Sequence, residues 1–563
     1  MKCTRAVALL AWACFAPLSV AAAQPLVVSG AAIASAHPQA TRAGEQVLAA
    51  GGNAFDAAVA VAAALAVVEP YSSGLGGGGF WLLHRAADGR NVFVDSRETA
   101  PAGVRSTDYL RADGKPVPGA TTEGGTAVAI PGVPAALVHV AERYGRLPLA
   151  QSLAPAVGLA RNGFAVDVRY ARIAKLRERA LREGTGTRVF LDDGRAPAPG
   201  YLLRQPALAA TLERLGQDGR DGFYSGGVAE ALVTTVNRAG GRWTLADLSA
   251  YQVVERAPIV IAYRGARIVT APPPSAGGIA LAQSLRMLEA FTLGDAREPA
   301  TAHLVAEVLR RAFRDRALHL GDPDQTPLPQ AALISTPYNY ALARSIDRRQ
   351  ATPSERLLED GMPRASRGAG SPNTTHFSIV DGDGNRVAAT LTINLLFGAG
   401  LVAGDTGVLL NNEMDDFSLA PDLPNAFRLV GGAANAIAPG RRPLSSMTPT
   451  FVEDARGVLV LGAPGGSRIV SQVLLAVLDY LRTPQPDPAR IVAAPRYHHQ
   501  FLPDVIEIEP EGFDAAWRAA LTEKGHQLRA AGRRWGNLQV VFAPVDGKPI
   551  AANDPRGTDI AWY

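Results

Sequence analysis

The sequence predicts a mixed α+β protein, and three observations carry that prediction. Residues 373–398, NTTHFSIVDGDGNRVAATLTINLLFG, read as two β-prone runs either side of the turn formers DGDGN. Residues 41–50 and 54–68 carry helical patterns, with Gly51-Gly52 as a stop and Asn53 as an N-cap. The chain has 563 residues and 47% hydrophobic content, enough to bury one large core or two.

The hairpin sets the register. A loop centred on Asp383 places Val380 opposite Arg386, His376 opposite Thr390 and Thr374 opposite Thr392, and opposed residues share a face. Thr374, His376, Thr390, Thr392 and Asn394 then form one polar row, which by pattern alone is a solvated hairpin face.

The helix at 54–68 is apolar nearly all round and is expected to be buried. The next stretch, SGLGGGGFWLLHR, fits G-x-G-x-x-G at Gly74, Gly76 and Gly79. It follows a helix and opens a strand, the reverse of what a dinucleotide loop requires, so a nucleotide reading is rejected. Residues 195–200 are a loop. Residues 352–373, rich in breakers and charge, are the most linker-like segment and form a tether just before Thr374. No internal repeat is visible.

The net charge of +4 comes from 56 basic and 52 acidic residues without a basic block, so nothing points to nucleic acid. Residues 1–23 have the basic start, apolar middle and small-residue end of a secretory signal peptide. Both cysteines, Cys3 and Cys14, fall inside it. A lipid anchor at Cys14 is disfavoured by Trp12 and the short apolar run before it. The mature chain would then have no disulfide, thiol nucleophile or Cys-ligated metal. Adjacent His498 and His499 on a strand would point to opposite faces, so a shared metal ion is disfavoured.

The spacing T-T-H-x-S, G-N-x-V-A-x-T-x-T, N-x2-F-G across 374–398 resembles the signature of the γ-glutamyltranspeptidase family of N-terminal nucleophile (Ntn) hydrolases. Residues 31–80, RETAP at 97–101, IPGVP at 130–134, APPPSAGG at 271–278 and the Asp315-Arg316 and Asp322-Pro323 pairs agree with it. This long signature outranks the overlapping N-glycosylation sequon Asn373-Thr374-Thr375.

The resemblance implies a four-layer αββα sandwich and a precursor that cuts itself between Asn373 and Thr374, giving a large chain 24–373 and a small chain 374–563. Cleavage would make Thr374 the nucleophile and give it its own base, because a free α-amino group titrates at about 7.7–8.0. Thr392 would orient the nucleophile, and His376 would steady the site from the hairpin face. By resemblance Gly465 and Gly466 form the oxyanion hole, and Arg97, Ser445 and Ser446 bind the substrate α-carboxylate. Asn394, Glu413 and Asp416 bind its α-amino group. Without the resemblance, Arg97 reads as a surface residue and Glu413, Asp415 and Asp416 as a solvated acidic turn. Residues 418–432 resemble the lid, with Phe427 where some members carry Tyr.

The implied reaction moves a γ-glutamyl group from glutathione or a similar amide to an amino acid, a dipeptide or water, without a cofactor or metal, in a secreted, periplasmic protein free of the membrane once the signal is removed. One alternative is a cephalosporin or glutaryl acylase on the same fold. A glutaryl group lacks the α-amine, so Asn394, Glu413 and Asp416 would have no partner. The other is a secreted binding protein that lost catalysis, against which the intact Thr374, Thr392, Gly465 and Gly466 set speaks.

Overall fold

The computed structural model describes residues 30–358, 373–420 and 423–557. The expected signal peptide, with Cys3 and Cys14, and residues 359–372 of the expected tether lie outside the described residues.

Two six-stranded sheets form the middle of the protein. The first runs, in spatial order, Ala32–Ser35, Thr375–Val380, Arg386–Thr392, Gly78–Arg85, Arg90–Ser96 and Val254–Arg256. The second runs Ile550–Asn553, Gln539–Pro544, Gly457–Gly462, Thr450–Asp454, Ala266–Thr270 and Ile259–Tyr263. Every pairing within both is antiparallel.

Side chains alternate across the first sheet. Ala34, Phe80, Leu82, Val380 and Ala388 belong to the core shared with the second sheet, whereas Ile33, Trp81, Leu83, Phe377 and Ile379 belong to the core under helices Pro38–Ala49 and Ala54–Val68. Helices Gly277–Leu288, Pro299–His319 and Arg468–Arg482 cover the other side. The four-layer αββα sandwich is therefore the observed architecture.

Helix Ala54–Val68 opens at a capping box between Asn53 and Asp56, and all 15 of its residues are buried. Its first N–H, on Ala54, donates to Asp381 Oδ2 at 2.8 Å. The other oxygen of Asp381 accepts from the N–H groups of Asp383 and Asn385, so one carboxylate both closes the hairpin turn and ties it to the helix start. The preceding helix begins at Pro38, ahead of the residue 41 expected, because Pro38 occupies its first turn and His37 caps it.

The hairpin pairs in the register read from its turn: Val380 with Arg386 and His376 with Thr390. The ladder begins at Thr375, which leaves Thr374 one residue ahead of it. The polar row is not solvated. Thr374, His376, Thr390, Thr392 and Asn394 are all buried, and His376 and Thr390 lie with Ser378 between the two sheets. Among the described residues no helix is long and apolar enough to cross a membrane.

Candidate active site

Because the ladder opens at Thr375–Leu391, the side chains flanking it, Thr374 and Thr392, come together with their hydroxyls 3.5 Å apart. Both hydroxyls meet one acceptor. Thr374 Oγ1 donates to the Asn373 carbonyl oxygen, and Thr392 Oγ1 donates to the same oxygen at 3.2 Å. Asn373 is held from the other side, its Oδ1 accepting from Ser72 Oγ at 3.1 Å. Nearby, Glu69 accepts from Thr375 Oγ1 at 3.0 Å and pairs with Arg169 at 2.8 Å. Sequence reasoning missed Ser72, Glu69 and Arg169. The only signal was the place of Glu69 and Ser72 in the VVEPYSSGLGGGGF block, and Arg169, on helix Val168–Glu183, had none.

His376 is a structural bridge. Its Nδ1 lies 2.8 Å from Thr390 Oγ1 and its Nε2 3.1 Å from Ser378 Oγ, which donates to Gln539 O in the second sheet at 3.0 Å. Burial pushes the imidazole down to about 3, so it is neutral at working pH. A Cβ at Gly462 would fall 2.2 Å from the ring, which is why the facing strand carries glycine there.

In front of Thr374 lies a cleft of about 320 Å³, counting its mouth. Arg97, Thr374, Thr392, Asn394, Glu413, Asp416, Phe427, Ser445, Ser446 and Gly466 all line it. Gly465 stands one residue behind the wall. Arg316, at the end of helix Pro299–His319, lines the cleft too, although its Asp-Arg motif carried no role in the sequence reading.

Arg97 does not stand apart from the acidic residues, as separate charge-binding roles imply. Its two terminal nitrogens pair with Glu413 and Asp416, and its Nε donates to Pro443 O at 3.0 Å. Arg97 and Glu413 are each about 1% exposed, and unpaired charges so deeply buried are costly, so the opposite charges neutralise each other. Glu413 and Asp415 belong to a buried 3₁₀ turn, not a solvated one.

Among the described residues several buried polar atoms here have no hydrogen-bond partner: Asn394 Oδ1, Glu413 Oε2, Ser446 Oγ and Arg316 Nε. Buried polar atoms are normally satisfied, so these are free to bond to whatever enters the cleft. Arg316 makes one long bond, from Nη1 to Val430 O at 3.4 Å, and burial lowers its guanidinium to about 10 while Asp416 opposes the shift. Among the described residues neither oxygen of Glu98 accepts a hydrogen bond, although Oε2 lies 3.7 Å from Arg97 Nη1. Burial pushes its carboxyl up to about 7 against the pull of Arg97.

Gly466 has a φ of 59° and Gly465 a φ of 134°, in a turn that opens helix Arg468–Arg482. Among the described residues neither of their N–H groups meets an acceptor. Phe427 covers this turn: a Cβ on Gly466 would sit 2.6 Å from the phenyl ring. The loop carrying Phe427 is fastened to the cleft, with Asn425 Nδ2 donating to Asp416 Oδ1 at 3.0 Å and Ala426 N to Asp415 Oδ2 at 2.9 Å.

His498 and His499 have separate partners, Ser471 and Gln500 for the first, Asp504 and Arg310 for the second. The group of described residues that could hold a metal ion is His303, Glu307 and His526, whose ligand atoms lie within 4.8 Å of one another. Glu307 already pairs with Arg310 and Arg311, so a cation would compete with two guanidiniums.

The family model described as Gamma-glutamyltranspeptidase matches residues 40–563. The glutathione hydrolase proenzyme of Escherichia coli (strain K12) is 40% identical over 537 residues, covering 94% of this chain and 90% of that protein. Among solved structures, a cephalosporin acylase from Bacillus halodurans superposes with a TM-score of 0.81 at 26% identity, covering 96% of this chain and 98% of that one. The Helicobacter pylori gamma-glutamyltranspeptidase gives a TM-score of 0.56 at 36% identity, covering 61% of this chain and 97% of that one.

Proposed function

The chain belongs to the γ-glutamyltranspeptidase family of enzymes, and on that premise we propose that it cuts itself between Asn373 and Thr374 and then moves γ-glutamyl groups through an ester on Thr374. The carrying observation is a convergence: two threonine hydroxyls meet on the Asn373 carbonyl oxygen, beside a buried cleft holding both an arginine and two carboxylates.

In the first step Thr374 Oγ attacks the Asn373 carbonyl carbon. The C–N bond breaks, its electron pair takes up a proton to become the free α-amine of Thr374, and water then hydrolyses the resulting ester. Thr392, bonded to the same carbonyl oxygen, steadies the developing charge. The large chain would end at Asn373, and the share of this chain matched by the Helicobacter pylori structure is close to that of residues 24–373.

In the second reaction the freed amine accepts the Thr374 hydroxyl proton as Oγ attacks the γ-amide carbon of glutathione or a similar amide. The Gly465 and Gly466 N–H groups receive the oxyanion, and backbone donors of this kind contribute roughly 2.7–4 kcal/mol each. The amine leaves with the proton, and water, an amino acid or a dipeptide takes the acyl group. Substrate binding exchanges ion pairs. The α-carboxylate takes the Arg97 fork with help from Ser445 and Ser446, while the ammonium takes Glu413, Asp416 and the open Asn394 Oδ1. The secreted, periplasmic location implied by residues 1–23 belongs to this proposal as well.

Mass spectrometry of the purified protein with sequencing of its N-termini tests the first step: two chains, one starting at Thr374, are expected, and a single uncut inactive chain would sink it. The likeness to a cephalosporin acylase supports a second reading, glutaryl transfer. Turnover of a γ-glutamyl anilide against its glutaryl analogue separates the two, because only the former uses Glu413 and Asp416.

A further inference from the structure

The residues on either side of the Asn373–Thr374 bond are gripped by one short turn, Glu69 to Ser73, which closes the C-terminal end of helix Ala54–Val68. Within it the N–H groups of Ser72 and Ser73 donate to the Glu69 carbonyl at 2.8 and 3.3 Å. Ser72 Oγ donates to Asn373 Oδ1, and Thr375 Oγ1 donates to Glu69 Oε2. Resting on the self-cleavage reading above, we propose that this turn is a clamp for scission. Ser72 and Glu69 are positioning residues that hold the bond for attack, and their work ends when it is cut.

Scission forms the Thr374 Oγ–Asn373 C bond and breaks the Asn373 C–Thr374 N bond, whose nitrogen takes up a proton. The attacking hydroxyl rests on the carbonyl oxygen, not on the carbon, so residues 373 and 374 must turn relative to each other while their surroundings stay still. Misplacing reacting atoms by about 1 Å can cost roughly 100-fold in rate. The clamp supplies that stillness from behind. Successive side chains of a strand point to opposite faces, so Thr375 shares the helix-layer face with Phe377 while His376 faces the second sheet. The lining of the substrate cleft includes none of Glu69, Ser72 and Thr375. The turn therefore acts on the bond without reaching the place where an acyl donor binds.

The choice of a carboxylate for this grip carries a cost. Glu69 is fully buried, and its pairing with Arg169 is joined by Tyr71, whose hydroxyl donates to Oε1 at 3.2 Å. A buried ion pair gains little net stability over an apolar pair of similar volume, so stability alone does not explain an acid here. What the acid adds is a hydrogen bond to Thr375 about twice as strong as one to a neutral acceptor. The same turn also meets the far end of the hairpin, with the Phe397 N–H donating to the Tyr71 carbonyl at 3.2 Å. Both ends of the hairpin and the end of the buried helix are thus tied beside the scissile bond.

The test follows full-length chain made by cell-free translation on denaturing gels over time and fits the fraction cut to a rate. Thr375→Val removes the hydroxyl at nearly constant volume and is expected to slow scission by about tenfold or more, with Thr375→Ser restoring it. Ser72→Ala should slow it by about three- to tenfold. Glu69→Gln keeps an acceptor for the Thr375 hydroxyl and should fall between Thr375→Ser and Thr375→Val; if it fails to fold, Thr375→Val decides alone. Each variant, once cut to completion, is expected to turn over a γ-glutamyl anilide with the kcat and KM of the wild type, a split that a general loss of structure would not give. Folded Thr375→Val and Ser72→Ala chains cut at the wild-type rate would overturn the clamp, as would equal losses in scission and in kcat of the cut protein. A wild-type chain that is never cut would instead remove the self-cleavage reading, and the clamp with it.

Discussion

Two groups of buried polar side chains are centred a few residues apart on the same hairpin strand, at His376 and at Thr374, and they are finished differently. Around His376 both ring nitrogens have an answer in the protein: Thr390 and Ser378 take them, and Ser378 hands the chain on to the Gln539 backbone carbonyl across the sandwich. Around Thr374 answers are missing among the described residues, and Asn394, Glu413, Ser446 and Arg316 each keep an atom without a partner there. Both groups are buried. A satisfied polar network holds sheets together, whereas an unsatisfied one in the same surroundings awaits something from outside.

Substitutions can break that contrast. Thr374→Ala is expected to abolish both self-cleavage and acyl transfer, leaving one full-length chain on a denaturing gel. A cleaved, active Thr374→Ala protein would end the mechanism. Arg97→Lys keeps the charge and loses the two-pronged grip, so kcat/KM for a γ-glutamyl anilide should drop by roughly 10- to 100-fold, the worth of one charged hydrogen bond. His376→Ala should do the reverse. Thermal or denaturant unfolding should show a loss of roughly 2–4 kcal/mol, while kcat per cleaved molecule changes little. A large fall in kcat for folded, cleaved His376→Ala would move His376 from the scaffold to the chemistry.

Glu98 sharpens the contrast, being buried without hydrogen bonds and yet beneath Arg97. Its carboxyl is pushed up from 4.5 to about 7, so between those values the folded state holds a proton that the unfolded chain has released. Stability should therefore fall as pH rises from about 4.5 to about 7 and level off above, by on the order of 3 kcal/mol at most. Glu98→Gln should flatten that slope in denaturant titrations at stepped pH. An unchanged slope would assign it to another group, Asp415 first, since burial raises its carboxyl to about 6.

What the sequence made legible follows the range of each interaction. The hairpin register could be read because a tight turn fixes it, and the capped buried helix because its signals lie within four residues. The pairing of Arg97 with Glu413 could not, since the partners are 316 residues apart and only the fold decides that they meet. The polar row looked solvated because an alternating pattern says nothing about a second sheet closing over it. Family resemblance supplied Arg97, Ser445, Ser446 and Gly466 as a set, and the cleft gathers them. It attached no role to Arg316, which pattern alone leaves as one more charge on a long helix.

The smallest expected effect concerns the ring at the edge of the cleft. Phe427 packs its edge on Gly466 and has no polar atom, so it bounds the cleft by shape alone. Phe427→Tyr keeps that contact and extends a hydroxyl past the ring, where unpartnered acceptors such as Glu413 Oε2 line the same cleft. A net hydrogen bond of about 0.5–1.5 kcal/mol would lower KM for the γ-glutamyl donor by roughly two- to tenfold. Because the added group lies off the reacting atoms, kcat should stay put: binding that is equal in ground and transition states changes KM alone. A change in kcat without one in KM would mean that the ring acts on the Gly466 turn and the oxyanion donors proposed there rather than on the bound donor.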